Sequence, residues 1–128
     1  MKRVWVNGCF DIIHRGHIEL INFASSLGTL MVGLDTDERV KKLKGPERPF
    51  NNIADRIYVM QNIKGVHLTT AFHTEDELIY SIKQWAPDII VVGSDYKNKK
   101  VVGSEYCNEI IYFDRIPGYS TSKILEHK

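Results

Sequence analysis

Between residues 7 and 17 the chain reads NGCFDIIHRGH. His14 and His17 stand three residues apart around Gly16, with Asp11 upstream and Gly8 further back. Three chemistries compete for such a cluster. The plainest is structural, since a histidine near a helix start is often a capping or surface residue. The second is metal binding by Cys9, His14 and His17; the spacing permits it, but no fourth ligand and no neighbouring thiol pair supports it. The third is anion handling. A helix N-terminus offers unpaired N–H groups and the positive end of the helix dipole. Gly8 and Gly16 let the backbone approach closely, and imidazole N–H groups add directed donors. Only this third reading accounts for the whole cluster.

Two familiar phosphate signatures are missing. No GxGxxG follows the first strand and no GxxxxGK[ST] occurs anywhere in the chain. A dinucleotide oxidoreductase and a P-loop NTPase are therefore excluded as first readings.

The elements that must position these residues follow from the apolar pattern. Val4-Trp5-Val6 is a β-rich run entering a turn at Asn7-Gly8. A helix is expected over 17–27, with Gly28 as its stop, and a strand over 30–34. A charged helical piece over 37–42 leads into KGPERPFNN, the one clear loop. Further helices are expected over 53–63, 75–85 and 120–126, and strands over 66–70, 89–92 and 110–113. The run Ile89-Ile90-Val91-Val92 has the character of a parallel strand buried on both faces. Alternating strands and helices predict an α/β layered fold with a mainly parallel sheet, whose ligand lies beyond the carboxyl ends of the strands. The segments 7–17, 93–96 and 115–121 all follow expected strands and should meet at that edge. The 128 residues show no internal repeat and no linker, so a single domain over 1–128 is expected.

Composition narrows the function. Hydrophobic residues make up 43% and charged residues 26%, a globular profile. The net charge of +1 argues against nucleic-acid binding through bulk electrostatics. Cys9 and Cys107 form no CxxC pair, so neither a disulfide framework nor a zinc ribbon is expected, and a reducing cytoplasm is the natural setting. No stretch has the length of a signal peptide's apolar core or of a membrane span, and the chain reads as complete.

On four segments the chain resembles the nucleotidylyltransferase superfamily that carries an HxGH signature. His14-Arg15-Gly16-His17 fits that signature, preceded by a glycine and the Phe10-Asp11 pair. RIPGYSTSKI, residues 115–124, looks like the second signature, an arginine before a Ser-Thr turn that opens the last helix. VKKLKGPERPFNNIADR, residues 40–56, resembles the connecting loop of bacterial sugar-phosphate adenylyltransferases that make ADP-heptose. PDIIVVGSDYK, residues 87–97, resembles the strand and turn of the same enzymes and of glycerol-3-phosphate cytidylyltransferases. HxGH alone is a weak pattern; the four together span nearly the whole chain.

The resemblance implies a Rossmann-like fold and nucleotidyl transfer. A phosphomonoester oxygen attacks the α-phosphorus of an NTP, pyrophosphate leaves, and catalysis is positioning and charge stabilisation. It implies that His14 and His17 contact the triphosphate, and that Gly8, Cys9, Phe10 and Gly16 line the phosphate turn. Cys9 stands where relatives often carry Thr or Ser, and a buried small hydrophobe is its expected role. Asp11 is expected to orient the acceptor or a hydrated metal, or simply to cap or pair. Lys44 falls where the family has a mobile-loop lysine reaching the substrate phosphates; Arg56 matches a phosphate-binding arginine on the following helix. Gly93 and Asp95 would border base and ribose. Arg115, Ser120 and Thr121 would serve the β- and γ-phosphates. Magnesium is expected with the nucleotide, held mainly by phosphate oxygens and water.

The substrate indications divide. The 40–56 loop favours ATP with a sugar 1-phosphate, in nucleotide-sugar synthesis. Arg115 resembles the CTP and glycerol 3-phosphate version of its signature, and the 103–109 segment is shorter than in the heptose enzymes. Those enzymes are often fused to a kinase domain; a separate protein is the expected source of upstream phosphorylation here. A nucleotide-binding module that has lost catalysis is the more distant alternative, against which both histidines and Lys44 are retained. A homodimer is possible; no nucleic-acid or membrane partner is expected.

Overall fold

The structure, a computed structural model, describes residues 1–114. The expectations for Arg115, Ser120 and Thr121, and for a helix over 120–126, lie outside the described residues. In chain order the elements are β1 (Arg3–Gly8), α1 (Arg15–Leu27), β2 (Thr29–Asp35), α2 (Asp37–Lys44), α3 (Ile53–Gln61), β3 (Val66–Phe72), α4 (Glu75–Trp85), β4 (Ile89–Gly93) and β5 (Glu109–Phe113). The strands form one five-stranded sheet, ordered β3-β2-β1-β4-β5, in which every pairing is parallel.

Successive side chains on a strand face opposite ways, and this splits the core in two. Val4 and Val6 of β1, Leu30, Val32 and Leu34 of β2, and Ile89 and Val91 of β4 pack with Ile21 and Ala24 of α1 and Met60 of α3. The residues between them, Trp5 and Ile90, face the other side and meet Leu78 and Ile82 of α4 with Phe72 and Val101. The sheet is thus covered on both faces, which a parallel sheet of near-continuous apolar strands requires. Each fully buried side chain of this kind contributes about 1.5–3 kcal/mol by leaving water.

Element boundaries move from the expected ones for local reasons. Helix α1 begins at Arg15 rather than 17, because the His14 side chain accepts the Gly16 N–H and caps it. Helix α2 runs on to Lys44 and stops at Gly45, whose φ of +106° suits glycine and whose N–H reaches the Lys41 carbonyl. Helix α3 starts behind Asn52, which caps it by accepting the Asp55 N–H at 2.9 Å. Among the described residues no helix is long and apolar enough to cross a membrane.

Candidate active site

All five strands end at one edge of the sheet, and the strand order reverses between β1 and β4. A crevice opens at such a reversal. The turn after β1 and the turn Ser94–Tyr96 after β4 both emerge there.

The β1 turn is held from within. Phe10 has φ of +49°, a left-handed conformation that non-glycine residues adopt at a cost of about 1–2 kcal/mol. Its ring is buried and meets His17 edge-on, with centroids 5.4 Å apart at 67°. A side chain at position 8 would put its Cβ 3.2 Å from that ring, which is why glycine precedes it. Strain of this kind persists where the surroundings over-determine it and marks candidate functional turns.

Beyond it the two histidines interlock. His14 Nδ1 accepts the Gly16 N–H at 3.0 Å, and His17 Nδ1 accepts the His14 N–H at 3.2 Å. The rings stack with centroids 3.8 Å apart and planes 23° from parallel. A nitrogen that accepts a backbone N–H carries no proton, so the neutral rings hold theirs on Nε2. The capping role and the donor role therefore coexist: one nitrogen of each ring orders the helix start, and the other carries the N–H. With Nδ1 accepting a backbone N–H and Nε2 carrying the proton, neither ring offers a lone pair to the Cys9–His14–His17 metal centre weighed from sequence. Among the described residues no group of three or more His, Cys, Asp or Glu is disposed to hold a metal.

Asp11 takes the pairing role that its sequence left open beside orientation of the acceptor or a hydrated metal. Its carboxylate is buried and accepts the Phe50 N–H at 2.6 Å and the Asn51 N–H at 2.8 Å, with Arg48 Nε at 3.4 Å. Its carbonyl takes the Asn51 amide at 2.9 Å. A carboxylate so enclosed clamps the 45–52 loop onto the turn after β1. That loop follows directly on Lys44, which is exposed at the end of α2.

Arg56 is likewise engaged by the protein itself. Expected to bind an acceptor phosphate, it is 1% exposed. Its guanidinium donates to the carbonyls of Cys9 (3.0 Å), Asp35 (2.7 Å) and Asn51 (3.0 Å) and to the Asp37 carboxylate (2.7 Å). It ties the ends of β1 and β2 and the starts of α2 and α3 into one piece.

Cys9 is buried, as expected for a small hydrophobe. Burial pushes its thiol above the ordinary value of 9.0, while the charges of Lys44 and Arg56 pull it down. The ammonium of Lys44 is thus within electrostatic reach of the turn. Across the crevice, Gly93 precedes the 3-10 turn Ser94–Tyr96, on which Asp95 is exposed.

The structure so brings Gly8, Cys9 and Phe10 of the β1 turn together with His14, Gly16 and His17 at the start of α1, with Lys44 exposed at the end of α2 and Gly93 and Asp95 after β4. Arg48, Asn51 and Asp37, which hold the loops, were not singled out from sequence. Their partners lie 37, 40 and 19 residues away along the chain, a separation that no local pattern displays.

The comparisons with known proteins agree with this geometry. The chain is 46% identical over 128 residues to the bifunctional protein HldE of Helicobacter hepaticus, covering 98% of this chain and 26% of that protein. It is 43% identical over 126 residues to HldE of Helicobacter pylori, covering 98% of this chain and 27% of that one. The chain therefore spans about a quarter of the length of these curated relatives. Among solved structures, the lipopolysaccharide core biosynthesis protein of Thermoplasma volcanium superposes with a TM-score of 0.69 at 26% identity, covering 94% of this chain and 99% of that one. This likeness bears out the Rossmann-like α/β fold. Residues 5–127 match the cytidylyltransferase-like family model, and the chain belongs to that family.

Proposed function

We propose that this chain is a nucleotidylyltransferase that moves an adenylyl group from ATP to a sugar 1-phosphate of the heptose type. The observation that carries the proposal is the stacked histidine pair, whose Nδ1 atoms both accept backbone N–H groups at the start of α1. An acceptor phosphate oxygen forms a bond to the α-phosphorus. The bond from that phosphorus to the bridging oxygen breaks, and its electron pair leaves with pyrophosphate. No covalent enzyme intermediate is needed, and neither histidine need take a proton, because the attacking phosphate is already anionic.

Charge grows on the phosphoryl oxygens as the transition state forms. Donors fixed beforehand stabilise that charge without reorganising. In this reading His14 and His17 donate from Nε2 to the triphosphate, the turn 8–10 and Gly16 border it, and Lys44 reaches the phosphates from the loop that Asp11 clamps. Gly93 and Asp95 border the nucleoside, and Arg115, Ser120 and Thr121 complete the β- and γ-phosphate site. Magnesium, when bound, neutralises phosphate charge. The enclosed Asp11 carboxylate suits an ion carried in by nucleotide oxygens and water.

The heptose-type acceptor is supported by the 40–56 loop and by kinship to the bifunctional HldE proteins and a lipopolysaccharide core biosynthesis protein. Transfer from CTP to glycerol 3-phosphate is the second reading, favoured by the resemblance around Arg115. A cytoplasmic setting accords with two unbonded cysteines. A homodimer is part of the proposal, supported by the exposed Leu68 on edge strand β3 beside exposed Tyr58 and Val59 of α3. The test is pyrophosphate release with magnesium, crossing ATP and CTP against heptose 1-phosphate and glycerol 3-phosphate, with product masses recorded. ADP-heptose is the expected product; CDP-glycerol alone would establish the second reading. Nucleotide binding without release in any combination would favour the non-catalytic module.

A further inference from the structure

The ends of β2 and β3 carry a polar cluster that neither the phosphate turn nor the core uses. His73, just past β3, has Nδ1 3.0 Å from the Thr36 hydroxyl and Nε2 3.4 Å from the Glu38 carboxylate. Its backbone N–H donates to Glu77 at 2.9 Å, which fixes the segment to α4. Thr36 also caps α2 by accepting the Arg39 N–H at 3.4 Å. The His73 and Glu38 side chains are 47% and 80% exposed. Contacts so open to water add little to stability. The fold gains little from this arrangement, so its use is sought in what it meets.

We infer that Thr36, Glu38 and His73 read the distal hydroxyl groups of the acceptor, and thereby select a sugar-length acceptor over a short one. The inference rests on the proposed transfer reaction. Its geometry comes from the sheet. In the proposed function Gly93 and Asp95 place the nucleoside on the β4 side of β1, which leaves the ends of β2 and β3 for an acceptor whose phosphate sits at the β1 turn. Two strand spacings separate the ends of β1 and β3, about 10 Å. A seven-carbon sugar phosphate bridges that span, and a three-carbon glycerol phosphate does not.

The chemistry agrees. Nearby carboxylates are balanced, Asp35 by Arg39 at 2.9 Å and Asp37 by Arg56 at 2.7 Å. The Thr36 hydroxyl, the His73 imidazole and the Glu38 carboxylate bond one another in a network of donors and acceptors whose imidazole and carboxylate stay open to water. Such a set matches the two-way hydrogen bonding of sugar hydroxyls. The Glu38 carboxylate repels a phosphate, which orients the acceptor with its phosphate toward Lys44.

The test compares His73→Phe with the wild type, varying heptose 1-phosphate at saturating nucleotide and then the reverse. The acceptor KM should rise about tenfold while the nucleotide KM stays within about twofold, as expected for losing hydrogen bonds to one substrate. His73→Asn, which keeps a donor and an acceptor, should recover part of the loss. An unchanged acceptor KM overturns the inference. So does an equal rise in both constants with a lower Tm, which would mean a structural role. If the wild type releases no pyrophosphate with any pair, the activity reading falls on its own. The His73 imidazole resonances, titrated with heptose 1-phosphate, then decide: a saturable shift supports acceptor contact and unmoved resonances refute it.

Discussion

The two turns that face each other across the crevice are built differently. After β1, Cys9, Phe10 and Asp11 are 8, 6 and 4% exposed, and side chains of the 48–56 segment close over them. After β4, the turn Ser94–Tyr96 begins without a side-chain cap and leaves Asp95 and Tyr96 exposed. Stabilising phosphoryl charge requires dipoles that do not move during reaction, and the first turn is braced by two buried ionic groups. Recognition of a particular base or acceptor is a task for sparsely constrained segments on a rigid frame. Under the proposed function, the difference separates a fixed centre for the chemistry from a periphery that sets specificity.

The largest effect that would break this comparison concerns the histidines. His17→Ala should lower turnover by about 10²–10³-fold, the usual loss for one preorganised donor. His14→Asn sharpens the point, because asparagine retains an N-cap acceptor and lacks the Nε2 donor. It should melt near the wild-type temperature and still lose turnover in a pyrophosphate-release assay. A fast His14→Asn enzyme would reduce this histidine to a cap.

Next in size is the contrast between Arg56 and Lys44. Arg56→Met strands the Asp37 carboxylate and three carbonyls, and should cost about 3–5 kcal/mol in urea denaturation. Lys44→Ala, at an exposed helix end, should cost less than about 0.5 kcal/mol while slowing catalysis at least about tenfold. If Arg56→Met were as stable as the wild type, the bracing assigned to the first turn would be wrong.

The smallest effect is electrostatic. Burial raises the Cys9 thiol above its ordinary 9.0, so the folded chain holds that proton longer than the unfolded chain. Its contribution is complete below the ordinary value and is lost as pH climbs from there through the folded value. Cys107 is raised by burial too. Unfolding free energies of wild type and Cys9→Ala between about pH 8 and pH 10 should converge as pH rises. Parallel curves would show Cys9 to be less enclosed than the turn described here.

Much of this molecule follows from local sequence. The alternation Val4-Trp5-Val6 and the run Ile89-Ile90-Val91 place both faces of a parallel sheet, because strand periodicity is a property of the backbone itself. Helix α4 occupies 75–85 as its apolar spacing predicts, and the histidine pair lies at a helix start as its spacing beside Gly16 suggests. Tertiary structure alone decided what Asp11 and Arg56 do. Both have the charge of ligand-binding residues, and both are engaged by partners of which all but Asn51, beside Arg56, lie 19 to 47 residues away. It also decided that Thr36 and His73, 37 residues apart, meet at the ends of adjacent strands. A residue's type states which bonds it is able to make; only the packed chain determines which of them are already made.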